Sequence, residues 1–75
     1  MAERHLPQAD RHITEGEARV ARQRALVGEL AADGHDAAMA EGLLATMLAS
    51  LARMREHRAT ILAEVAAERG ESSLG

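Results

Sequence analysis

The chain has 75 residues, enough for one small domain but too few to bury a comfortable apolar core without help. It contains no cysteine for a disulfide, and its four histidines are scattered rather than spaced as zinc ligands. It also lacks Phe, Tyr and Trp, which excludes stacking on bases, aromatic cages and aromatic anchors. The net charge of −3 offers no general attraction to nucleic acid or anionic lipid, so self-association is the expected source of added stability.

Residues 1–6 read as an N-terminal extension, charged and without the apolar stretch of a secretory leader. No segment reaches the ~18 apolar residues that cross a bilayer. The expected location is therefore cytoplasmic, with no membrane partner. All nine basic residues are Arg, and Lys and Asn are absent, a bias expected of a GC-rich bacterial coding sequence.

A first helix is expected over 7–33, with Pro7 in its first turn and Gly34 as a left-handed C-cap. A turn follows over 34–36, where Asp36 offers a carboxylate N-cap for a second helix over 37–69. Gly70 ends that helix and leaves residues 70–75 as a flexible polar tail. No segment alternates with the two-residue period of a strand, so the fold class is all-α, an antiparallel two-helix hairpin of coiled-coil type. The alternative is one continuous rod paired between chains, because Gly34 is the single strong breaker between the halves.

Heptad spacing defines the seam. Leu6, Ile13, Val20 and Val27 recur every seven residues, with Ala9, Gly16, Gln23 and Leu30 three places after each. In the second helix Leu44, Leu51, Arg58 and Val65 form one row, and Met47, Met54 and Ile61 the other. Gly16, Gln23 and Arg58 interrupt the apolar rows, and polar seam residues of this kind set register. Gly16, Gly28 and Gly42 mark three places where close backbone approach is expected.

Residues 42–52 carry no charge on any helical face. A single hairpin partner covers only one side of such a segment. The expected consequence is a homodimer forming a four-helix bundle, with Leu43, Leu44, Met47, Leu48, Leu51 and Met54 at its centre. Small residues also line the outer edges, among them Gly42, Ala45, Ala49, Ala52, Ala59, Ala63 and Ala66 in the second helix; a further protein partner is expected to meet either this stripe or the end formed by His5, Pro7 and the polar C-terminal tail.

A turn centred between Gly34 and His35 pairs residues whose numbers sum to about 69–72. On one side of the seam this sets Leu26 against Leu43, Arg19 near Ser50 and His12 near His57. On the other it sets Glu17 against Arg55, Arg24 near Leu48 and Asp10 near Leu62. His12 and His57, with Glu15 and Glu56, lack the repeated Glu-x-x-His pattern of bundle metal sites, so they read as solvated histidines and no metal or cofactor is expected. Arg19, Arg22 and Arg24, like Arg53, Arg55 and Arg58, are spread around their helices rather than gathered into a phosphate-binding stripe. No phosphate loop, nucleophile or cleft is legible, so the chain is not expected to be an enzyme.

Two resemblances accompany this reading. The run from Ala9 to Val20 (Ala-Asp-Arg-His-Ile-Thr-Glu-Gly-Glu-Ala-Arg-Val), with Leu30–Asp36 and Leu43–Met47, resembles a group of short uncharacterised all-helical proteins of alphaproteobacteria over roughly residues 6–65. That resemblance implies a bacterial, all-helical protein and carries no activity or functional residue. Glu56-His57-Arg58 is similar to the phosphoacceptor segment of one class of bacterial histidine kinases, but the Lys and Asn that follow there are replaced by Ala59 and Thr60. The function expected is a small non-catalytic oligomerisation or protein-interaction module; the alternative is a regulator acting through nucleic acid or histidine phosphotransfer.

Overall fold

The computed structural model describes residues 5–70, which form two helices, α1 (His5–Ala32) and α2 (Ala38–Glu68), folded back against each other. Among the described residues there is no strand. Most of the segment read as an extension, residues 1–4, and all of the tail beyond Gly70 lie outside the described residues. Pro7 occupies the first turn of the described α1, where a missing N–H costs nothing.

The reversal is built by Gly34, whose φ of +77° places it in the left-handed region. The Gly34 N–H donates to the Ala31 carbonyl (3.1 Å) and the His35 N–H reaches back to the Leu30 carbonyl (2.9 Å). Together these are the paired bonds of a Schellman cap, which satisfy carbonyls that the helix end would otherwise leave open. Three residues later the Ala38 N–H donates to Oδ1 of Asp36 (2.9 Å), while the Ala37 carbonyl accepts the first α2 bond from Glu41. Asp36 thus caps the helix start from one residue further out than a simple N-cap. The helices consequently pair within one chain rather than running on as a rod.

The seam is the one the heptad spacing describes. Between Leu6 and Leu30 the residues shielded from solvent are Leu6, Ala9, Ile13, Gly16, Val20, Gln23, Val27 and Leu30. In α2 they include Leu44, Met47, Leu51, Met54, Arg58, Ile61 and Val65. Burial is deepest away from the turn, where Ala9, Ile61 and Val65 cluster with Leu6 against them. Even so, no large side chain among the described residues is fully enclosed, because each helix has only one neighbour.

The polar interruptions of the seam each find a partner. Gln23 Nε2 donates to the Ala40 carbonyl at 2.9 Å, and Arg58 Nε donates to Asp10 Oδ1. Asp10 is thus engaged by Arg58, whereas simple register arithmetic sets it beside Leu62; a guanidinium on a long stem reaches back one turn to the carboxylate. Glu17 and Arg55 form the expected cross-helix pair at 2.9 Å. Both side chains are half exposed, so the pair marks register and contributes under about 1 kcal/mol.

Of the three helical glycines singled out in the sequence, only Gly16 makes a close approach. A Cβ there would stand 3.1 Å from Leu51 Cδ1 and 3.5 Å from Met54 Sδ. Gly28 and Gly42 face open space within the hairpin, which corrects the expectation of close packing at both. Glycine at an exposed interior position weakens a helix without any packing return. Gly28→Ala and Gly42→Ala are each expected to stabilise the protein by about 0.5–1 kcal/mol, raising the melting temperature by several degrees in circular dichroism.

Candidate functional site

Positions beside the seam fall on two flanks, and the structure distinguishes them. One flank carries the ion pair Glu17–Arg55. The other holds a shallow notch lined by Gly16, Arg19, Met47, Ser50, Leu51 and Met54, which brings Arg19 and Ser50 to the same place, as the register expects. The notch exists because Gly16 has no side chain to fill the space before Leu51 and Met54.

Exposed apolar side chains stand on both flanks. Met39 is 90% exposed, Leu43 52%, and Leu26, Leu48 and Leu62 are also exposed. Leu26 follows Arg19 by one heptad and Leu43 precedes Ser50 by one, so both share the notch flank; Leu48 and Leu62 precede and follow Arg55 by one heptad and share the flank of the ion pair.

The six residues expected at the centre of a four-helix bundle are therefore not equivalent. Leu51 is only 4% exposed and is used within the hairpin, against Gly16. Leu44, Met47 and Met54 are half-buried along the seam. Leu43 and Leu48 alone are exposed, on opposite flanks. The heptad rows name all six residues, but only the packed hairpin shows which of them its own seam consumes. The small-residue edge of α2, with Ala45, Ala49, Ala52, Ala59, Ala63 and Ala66, faces solvent.

The residues weighed for chemistry are placed as follows. His5, His12, His35 and His57 are all exposed. Among the described residues no three His, Cys, Asp or Glu side chains converge as a metal site would require. In the Glu56-His57-Arg58 segment Arg58 turns into the seam toward Asp10, and the Thr60 hydroxyl donates to the Glu56 carbonyl at 3.2 Å. Arg55 and Arg58 are held by carboxylates across the hairpin, while Arg19, Arg22, Arg24 and Arg53 stand exposed, Arg24 on the other side of the seam from Arg19 and Arg22. Among the described residues no helix is long and apolar enough to cross a membrane. No protein-family model matches the chain, and neither a curated protein nor a solved structure matches it.

Proposed function

We propose that this protein is a non-catalytic helical module for oligomerisation and protein interaction, that its first partner is a second copy of itself, and that it works in a bacterial cytoplasm. The observation that supports this reading is the mismatch between its core and its surface. Among the described residues the hairpin encloses no large side chain fully, yet it leaves Leu26, Met39, Leu43, Leu48 and Leu62 in contact with water. A chain of this size without disulfides gains stability most directly by covering such side chains with another chain. A homodimer in which two hairpins form a four-helix bundle covers the exposed apolar side chains of one flank, and it leaves the alanine edge of α2 as the surface for a different protein.

Sedimentation equilibrium across nanomolar to hundred-micromolar concentrations tests the proposal. The expected result is a monomer-to-dimer transition accompanied by a melting temperature that rises with protein concentration, since association draws the folded state forward by mass action. A folded monomer with a concentration-independent melting temperature throughout that range would refute it.

A further inference from the structure

The second half of α1, with Asp33 just past its end, carries a charge pattern that the hairpin leaves unused; the Asp33 N–H still donates to the Glu29 carbonyl, so the helical spacing carries through to it. Arg19, Arg22, Leu26, Glu29 and Asp33 follow one another at intervals of three and four residues, which aligns them in one stripe along the notch flank. All five are exposed, and the four charged side chains make no ion pair within the hairpin. Their order is two cations, a leucine, two anions.

Such a stripe is complementary to itself when turned end for end. With Leu26 at the centre of rotation, Arg22 meets Glu29 and Arg19 meets Asp33 of an identical stripe, and each anion meets the corresponding cation in return. One helix cannot make these pairings within itself. A second copy presents the reversed pattern by symmetry, because a two-fold interface uses the same patch on both subunits.

The other helix repeats the same centre independently. The register set by the Glu17–Arg55 pair and by Gly16 against Leu51 brings Leu43 level with Leu26. Met39 and Met47 lie four residues to either side of Leu43, so the same rotation lays Leu43 on Leu43 and brings Met39 of one copy level with Met47 of the other. Between Glu41 and Arg53 α2 has no charged residue, so covering this part of the flank strands no ion.

We infer that two copies pack antiparallel across the notch flank, with the two-fold axis running across the hairpin through the levels of both Leu26 and Leu43. This rests on the proposed self-association and assigns it a face: the turn end of each hairpin overlaps the Arg19–Arg22 waist of the other, and Leu48 on the opposite flank stays outside the contact.

Charge reversal tests the assignment. Arg19→Glu/Arg22→Glu and, separately, Glu29→Arg/Asp33→Arg each turn four cross pairs from attraction to repulsion, and each is expected to weaken dimerisation by about 100-fold. Mixing the two variants restores opposite charges across the axis and is expected to return a heterodimer of near wild-type affinity, an outcome that misfolded variants could not give. In the otherwise cysteine-free chain, Leu26→Cys is expected to crosslink rapidly between copies under oxidation, whereas Ala63→Cys is not. A wild-type dimer indifferent to both charge reversals, or in which Ala63→Cys crosslinks faster than Leu26→Cys, would overturn the assigned face and leave self-association standing. A wild type that stays monomeric would overturn both.

Discussion

Ile61→Ala is expected to cost about 2–5 kcal/mol, the range for truncating a buried isoleucine, and to lower the melting temperature by ten degrees or more. Ile61 is 2% exposed and sits with Ala9, Val65 and Leu6 where the hairpin packs most deeply. A hairpin with one helix–helix interface has few neighbours able to move into the space left, so the cavity contribution should be retained. The next residue supplies the internal control. Leu62 is exposed, and Leu62→Ala should change stability by less than about 1 kcal/mol. Urea denaturation of the three proteins followed by circular dichroism at one fixed concentration checks the contrast. Equal effects at the two positions would mean that the seam is not where the helices meet.

Gly34→Ala should change the shape of the protein rather than merely its stability. A residue with a Cβ pays about 1–2 kcal/mol to hold the left-handed conformation that Gly34 adopts at φ +77°, while alanine is the best helix former. The heptad pattern makes the extended form accessible. Ala9, Gly16, Gln23, Leu30, Ala37, Leu44, Leu51, Arg58 and Val65 recur every seven residues straight through the turn, so one row of the seam survives if the helices fuse. Two fused rods pairing antiparallel would remake between chains the contacts that the hairpin makes within one, including Glu17 with Arg55. The expected result is a domain-swapped dimer whose helix spans His5 to Glu68, about 95 Å at 1.5 Å per residue. Spin labels at the far ends of α1 and α2 in one chain, neighbours in the hairpin, should move to a separation several times larger. A synthetic chain with D-alanine at position 34, which favours positive φ, should keep the hairpin. If the L-alanine chain also keeps its ends together, the cap is not what holds the reversal.

The seam and the turn were legible in the residues because both depend on local rules. A seven-residue apolar repeat must lie along one side of a helix, and Gly34 followed by Asp36 supplies both a left-handed exit and a carboxylate for the next N-terminus. Glu17 and Arg55 were legible as a pair for a similar reason, since a short turn leaves an antiparallel hairpin little freedom of register. The distinction among Gly16, Gly28 and Gly42 was not legible. All three are helical glycines, and only the position of Leu51 and Met54 shows that one lies under packed side chains and two under open space. Likewise composition exposes the uncharged run at 42–52 but not its division of labour. Leu51 is spent within the chain, while Leu43 and Leu48 are left on different flanks. Burial and cross-helix reach depend on how deeply two cylinders approach at each level and on where long side chains such as Arg58 bend, and these are properties of the packed pair rather than of either helix alone.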